Sequence, residues 1–186
     1  MSDHTRTLFC AGFGGQGVMV LGQLVAYGAI KEGKYVTWLP SYGPEMRGGT
    51  ANCGVTVSDR EIGSPFVTKA DVVVALNQPS LDKYETSVKP GGVLIYNSDM
   101  ARYTPTRSDI KVVPAEASKI AGDLGNDRSV NVIILGVVIA MSDFISDETA
   151  REIIRQKLGA KKPEYLESNM KAYEEGRKIG LSSLQI

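Results

Sequence analysis

Thiol and imidazole chemistry is almost missing from this chain: its 186 residues include two cysteines and one histidine. Cys10 and Cys53 lie far apart with no C-x-x-C pair, so the chain alone cannot supply the four thiolates of a typical iron–sulfur cluster. Both read as small core residues. The one histidine, His4, sits in a polar tail, and neither a G-x-S-x-G nor an H-E-x-x-H pattern occurs, so no catalytic residue of the usual kind is expected on this chain. Excess charge is missing too. Twenty-one basic and twenty-one acidic residues cancel, which removes the broad positive field of a protein that neutralises nucleic-acid phosphates. The apolar run Val132 to Met141 falls well short of the roughly 20 residues that cross a bilayer. Leu8 to Gly22 is fairly apolar but holds five glycines and no A-x-A-like cleavage site, which argues against a signal peptide. Neither nucleic acid nor membrane is expected as a partner, and the expected location is cytoplasmic.

What remains is an ordinary globular composition, 42% hydrophobic and 23% charged, in a chain long enough for one well-buried domain. One domain over residues 1–186 is therefore expected. Thr7 to Ala11 is a short apolar run followed at once by Gly12-Phe13-Gly14-Gly15-Gln16-Gly17, and then by Val18, Leu21, Leu24, Val25 and Gly28 at helical spacing. The order is strand, glycine turn, helix. Gly33 is expected to stop that helix, and Tyr35 to Leu39 to form a strand ended by Pro40, completing a right-handed βαβ unit. Ser41 to Gly49 reads as a loop, and Thr50 to Val57 as a strand.

Asp71 to Leu76 and Gly91 to Tyr96 are apolar runs bounded by turn residues, as in strands covered on both faces, and Ile110 to Val113 is a weaker candidate. Helices are expected over Pro79 to Val88, Ala115 to Ala121, Val130 to Met141, Asp147 to Leu158 with Gly159 as stop, and Pro163 to Ile179 with Gly180 as stop. Strands alternating with helices imply an α/β fold: a Rossmann-like three-layer domain with a mainly parallel sheet and a helical C-terminal third.

Gly12-x-Gly14-x-x-Gly17 matches the dinucleotide fingerprint in context, and its N–H groups with the helix N-terminus offer a place for an anion. A ribose-binding Asp or Glu is expected near the end of the second strand, where this chain has Thr37-Trp38-Leu39-Pro40-Ser41. That disfavours a standard NAD site. The alternatives are that the glycines serve close helix–strand packing, and that Gln16 meets a partner or substrate. A β-branched side chain at Gly14 is expected to clash with a turn that needs φ > 0.

The second constellation, Ser41-Tyr42-Gly43-Pro44-Glu45-Met46-Arg47-Gly48-Gly49, carries Glu45 and Arg47 between glycines at the carboxyl edge of the sheet, where crevices of open α/β folds lie. Arg47 offers a planar fork for carboxylate or phosphate, and Gly48-Gly49 permits close backbone approach. The plain alternative is a weak surface pair between Glu45 and Arg47. Asn77-Gln78-Pro79 and Tyr96-Asn97-Ser98 put polar groups at the same edge, where such residues also serve as turns and caps.

Together the Gly12 to Gly17 turn and Leu39 to Cys53 resemble the gamma subunit of 2-oxoacid:ferredoxin oxidoreductases, and the likeness continues through Glu61 to Pro65, Ala75 to Ser80 and Val88 to Gly92. The Leu-Pro-Ser-Tyr-Gly-Pro-Glu-Met-Arg form looks most like the 2-oxoglutarate and branched-chain branches. What the resemblance implies is a subunit of an enzyme that oxidatively decarboxylates a 2-oxoacid, with coenzyme A taking the acyl group and ferredoxin the electrons. It further implies alpha and beta partner subunits holding thiamine diphosphate and magnesium, iron–sulfur clusters on beta or on a ferredoxin-like delta subunit, and no cofactor on this chain alone. The isolated chain is then expected to be inactive and open to forming a homodimer. By the same analogy Gly12, Gly14, Gly15, Gln16 and Gly17, together with Ser41, Tyr42, Gly43, Glu45, Arg47, Gly48, Gly49 and Asn77, face the thiamine diphosphate and coenzyme A crevice. Two other readings stand beside it: a free-standing dinucleotide-dependent oxidoreductase, and a small nucleotide-sensing module.

Overall fold

The computed structural model describes residues 4–43, 49–104 and 106–185. Among them the strands are β1 (Arg6–Phe13), β2 (Tyr35–Tyr42), β3 (Thr50–Ser58), β4 (Ala70–Ala75), β5 (Val88–Asn97) and β6 (Lys111–Ala115). They form one sheet in the order β2-β3-β1-β4-β5-β6. β1, β4, β5 and β6 pair in parallel, while β3 runs antiparallel to both β1 and β2. Five strands therefore share one direction, as expected of a mainly parallel sheet. The β1–helix–β2 unit differs from expectation in one respect: β2 does not lie beside β1, because β3 separates them. The reason is local. Only a short segment joins Tyr42 to Thr50, which suffices for an antiparallel hairpin and is too short for a parallel crossover.

The helices are α1 (Val18–Lys31), α2 (Gln78–Tyr84), α3 (Ala117–Asp123), α4 (Val130–Met141), α5 (Asp147–Ile153) and α6 (Leu166–Ser183). Alternate strand residues supply two cores. Leu8, Cys10, Val55, Val74 and Ile95 face the larger one, beneath α1, α4 and the C-terminal helices. Val73 and Leu94 point the other way, against Leu81 of α2 and Ala101. The chain thus covers one face with most of its helices and the other with α2 and the segment after β5.

Several boundaries differ from expectation. Pro40 does not end β2, which runs on to Tyr42 in register with β3. A residue without N–H is tolerated there because β2 is the edge strand. Ser41 and Tyr42 are consequently strand, not loop. Val88 opens β5 instead of closing a helix, since α2 gives way to a 3-10 turn over Glu85–Ser87. Ala115 likewise belongs to β6, with α3 starting at Ala117. The helix begun at Asp147 passes into a π-type turn over Ile154–Gly159, and Pro163–Tyr165 is a 3-10 turn ahead of α6.

Gly180 does not stop α6; it lies inside that helix and is buried. Its function is packing. A Cβ on Gly180 would collide with the Ala140 Cβ, one on Gly176 with the Ile133 carbonyl, and one on Gly136 with the Tyr173 carbonyl. Three glycines thus let the backbones of α4 and α6 approach closely, and this buries the second face of α4, an apolar helix that already covers the sheet. Glycine read as a stop signal and glycine used for close approach look the same in sequence.

Two carboxylates tie elements together. Asp71 accepts from the backbone N–H of Thr7 at 2.7 Å, its hydroxyl at 2.7 Å and the Lys89 ammonium at 2.9 Å, which fastens β1, β4 and β5 at one end. Asp147 accepts from Arg151 at 2.8 Å, the buried Tyr173 hydroxyl at 2.8 Å and Arg177 at 3.1 Å, which pins α5 to α6. Burial opposes ionisation of both carboxyls, yet these donors prevail and hold both below the ordinary aspartate range. A folded-state value below the unfolded one, about 3.9, stabilises the fold above roughly pH 4, and that contribution is lost as pH falls through the folded value. In thermal unfolding between about pH 6 and pH 2, Asp147→Asn is expected to flatten the acid loss of stability relative to wild type. Identical profiles would remove Asp147 from this account.

Candidate functional site

The turn between β1 and α1 is shaped by Gly15 at φ 95° and Gly17 at φ 81°, left-handed values that favour glycine. Gly14 is not among the residues with positive φ, so the conformational demand expected there falls on its neighbours. Gln16 folds back under the turn. Its Oε1 accepts the Phe13 N–H at 2.7 Å and the Asn77 Nδ2–H at 3.0 Å, while its Nε2 donates to the Leu76 carbonyl at 3.3 Å. The Gln16 N–H donates to the Phe13 carbonyl at 3.1 Å, and the Gly14 N–H to the Gly49 carbonyl at 2.9 Å.

Three turn amides are therefore committed to protein acceptors, whereas a dinucleotide site leaves such amides to the pyrophosphate. Two of the glycines make room for protein atoms. A Cβ at Gly12 would stand 2.8 Å from Gln16 Oε1 and 2.8 Å from Val18 Cγ2, and one at Gly17 2.6 Å from Asn131 Nδ2. Gly15 opens outward, with nothing within 4 Å of where its Cβ would be. The acid sought at the end of β2 would not have helped, since β3 lies between β2 and the turn.

Asn77 joins two strand ends. Its Oδ1 accepts the Ser80 N–H at 2.9 Å as the N-cap of α2, and its Nδ2 meets Gln16. The hairpin reaches the same edge. Phe13 pairs with Thr50, Ser41 and Tyr42 pair with Asn52 and Ala51, and the Gly43 N–H donates to the Thr50 carbonyl at 2.7 Å. The structure thus brings Gly12 to Gly17, Gly49 and Asn77 together, with Ser41 to Gly43 one strand away. Glu45, Arg47 and Gly48 lie outside the described residues.

A cleft of about 740 Å³ opens beside Gly15, Gln16 and Gly17, past the carboxyl end of β5. Val20, Val130, Val132 and Leu158 contribute its apolar lining. Asn97, buried at the end of β5, donates to the Ser118 hydroxyl at 2.8 Å and so fixes the far wall. Sequence reasoning placed Asn97 at this edge but missed Asn126, Arg128, Asn131, Lys161, Lys162 and Asn169, which also line the cleft. The one available signal was Asn131, a polar residue opening the apolar run of α4.

Among the described residues, no three of His, Cys, Asp or Glu converge as a metal ligand set. Cys10 and Cys53 face each other across β1 and β3, both fully buried, and burial pushes the Cys10 thiol above its ordinary range. Among the described residues, no helix is long and apolar enough to cross a membrane.

A family model described as pyruvate ferredoxin/flavodoxin oxidoreductase matches residues 7–179. Ketoisovalerate oxidoreductase subunit VorA of Methanothermobacter thermautotrophicus is 40% identical over 167 residues, covering 89% of this chain and 34% of VorA. This chain thus spans about a third of that relative. The 2-oxoglutarate synthase subunit KorC of the same organism is 32% identical over nearly full length, 96% of this chain and 97% of KorC. The gamma subunit of a keto/oxoacid ferredoxin oxidoreductase from Geobacter sulfurreducens superposes with a TM-score of 0.85 at 29% identity, covering 96% of this chain and 98% of that one.

Proposed function

The chain belongs to the pyruvate ferredoxin/flavodoxin oxidoreductase family, and from that premise we propose that it is the gamma subunit of a thiamine-diphosphate-dependent 2-oxoacid:ferredoxin oxidoreductase that forms an acyl-coenzyme A. In this reading alpha and beta subunits carry thiamine diphosphate, magnesium and the iron–sulfur clusters. Among the described residues of this chain, no three of His, Cys, Asp or Glu converge to hold a metal ion. Its own contribution is a rigid edge facing the active site. The observation that carries the proposal is the Gly14 N–H to Gly49 carbonyl bond, which joins the glycine turn to the end of the second motif stretch at the carboxyl edge of the sheet. Gln16 and Asn77 lock that edge from beneath.

The 2-oxoglutarate reading is supported by the end-to-end correspondence with KorC, and the branched-chain reading by the higher identity to VorA. Co-purification of the native complex, followed by assay of coenzyme-A-dependent ferredoxin reduction with 2-oxoglutarate and with ketoisovalerate, tests both. Activity that survives removal of this chain, or a complex without it, would overturn the assignment.

Arg47 has the anion-contacting role in this proposal. Arg47→Lys keeps the charge and loses the bidentate fork, so in the assembled complex it is expected to weaken coenzyme A or 2-oxoacid dependence by about 1–3 kcal/mol with little change in stability. Steady-state kinetics check this. Wild-type Michaelis constants and turnover in both Arg47→Lys and Arg47→Ala would end the role, and failed assembly would make Arg47 an interface residue.

A further inference from the structure

The two edges of the sheet are built differently. β6, at one edge, is five residues long and carries Lys111 and Pro114. Short length, charge and proline all guard a sheet edge against pairing with another strand. β2, at the other edge, runs for eight residues, Tyr35 to Tyr42, without one charged side chain. Among the described residues no strand lies beyond it. Its main-chain groups alternate between two sides. The Gly43 N–H donates to the Thr50 carbonyl, and the β2–β3 register carries this pattern back through Ser41, Leu39 and Thr37, which therefore bond to β3. Val36, Trp38, Pro40 and Tyr42 turn theirs to the free edge, where Pro40 has no N–H to offer.

Side chains alternate as well. Val36 and Trp38 pack against the larger core, which sets Thr37 and Leu39 on the opposite face. Exposed apolar surface runs along the strand and onto the helix above it: Tyr35 is 49%, Tyr42 57% and Ile30 of α1 59% exposed, and α1 lies on β2 where Gly22 meets the Trp38 indole. Two copies of one strand related by a twofold axis normal to the sheet run antiparallel, and each side chain stays on its own face. With Leu39 on that axis, Leu39 faces the second copy's Leu39, Trp38 faces its Pro40, Thr37 its Ser41 and Val36 its Tyr42. The last two are favourable cross-strand pairs, hydroxyl with hydroxyl and β-branched with aromatic. The main chain fits the same register. Val36 and Tyr42 exchange both hydrogen bonds, and the Trp38 N–H donates to the Pro40 carbonyl. The Trp38 carbonyl is left facing the proline ring, and an under-satisfied carbonyl is the orphan that proteins tolerate better. With Trp38 on the axis instead, Thr37 would face Leu39 and Tyr35 would face Ser41, polar against apolar.

We infer that the free edge of β2 docks a second copy of this chain, antiparallel, with Leu39 on the twofold axis, so that two six-stranded sheets continue into one another. The absence of charge on β2 is what self-pairing requires, because a lysine or glutamate there would be brought near its own copy. Pro40 narrows the choice further by rejecting strands that need a donor at its position. The seam lies across β3 from the β1–α1 turn, so the inference does not rest on the crevice of the proposed function.

Cysteine cross-linking of the purified chain and of the native complex tests the inference. Leu39 faces its copy in a pair without mutual hydrogen bonds, where Cα atoms stand about 4.5 Å apart, within disulfide range. Leu39→Cys is therefore expected to give a disulfide-linked pair of chains on mild oxidation, while wild type, whose Cys10 and Cys53 are buried, stays unlinked. In sedimentation the wild-type chain is expected to be a dimer at about 10 μM, and Leu39→Lys, which sets two ammonium groups opposite each other, to raise the dissociation constant roughly tenfold or more. Should the lysine variant not fold, the cysteine variant decides. A wild-type chain that stays monomeric at about 100 μM, or Thr37→Cys linking as fast as Leu39→Cys, would overturn the inference. A cross-link formed by the purified chain but absent from the native complex would give this edge to a different subunit and overturn it too.

Discussion

Gly176→Val is expected to lower the unfolding free energy by about 4 kcal/mol, enough to remove a large part of a domain's net stability. The magnitude follows from what the side chain meets. At Gly176 the obstacle is the main-chain carbonyl of Ile133, with the backbone of Gly136 behind it, and neither moves as a rotamer does. α4 and α6 would have to part, exposing apolar surface of α4 that no other element covers. Denaturant unfolding with circular dichroism measures the loss. Gly176→Ala is expected to fall between wild type and valine, and a valine variant within about 1 kcal/mol of wild type would show that the two helices are not held at backbone contact.

Gln16→Leu is expected to cost about 3 kcal/mol, because it strips partners from the Phe13 N–H, the Asn77 amide and the Leu76 carbonyl together, each worth about 1–3 kcal/mol when left unsatisfied. Gln16→Glu restores the acceptor but sets a carboxylate oxygen against the Leu76 carbonyl, so it is expected to recover only part of the stability. If the turn faces the catalytic crevice as proposed, the leucine variant also lowers turnover of the assembled complex by roughly tenfold or more, since small misplacements of a positioning element are costly. Equal stability of wild type and Gln16→Leu would show that the amide network bears no load. Equal turnover with reduced stability would separate the turn from the active site.

Much of the fold was legible because it rests on periodicity. The alternation of Leu8 and Cys10 with Phe9, the unbroken run Val72 to Leu76 and the apolar run of α4 each specify an element whatever surrounds it. Gly33, at φ 76°, stops α1 as expected. The glycine turn was located correctly, and its reading as packing was among the alternatives weighed. Three of the turn amides on which its phosphate reading drew, those of Phe13, Gly14 and Gln16, donate to protein acceptors. No sequence rule reveals that Gln16 curls under its own turn, because that depends on Asn77 and Leu76 arriving from β4.

By itself the sequence determined the α/β class, the strand–turn–helix order and the two motif stretches that carry the family likeness, since these depend on neighbours within one element or one turn. Tertiary structure decided everything that needed distant residues to meet. It placed β3 between β1 and β2, because a short hairpin pairs antiparallel where a crossover would not fit. It turned Gly180 from a stop into a contact, because α4 lay opposite. It also assembled the cleft from Asn126, Arg128, Asn131, Lys161, Lys162 and Asn169, residues unremarkable in order along the chain, which line one space only because α6 and the turns before α4 and α6 come together above the carboxyl edge of the sheet.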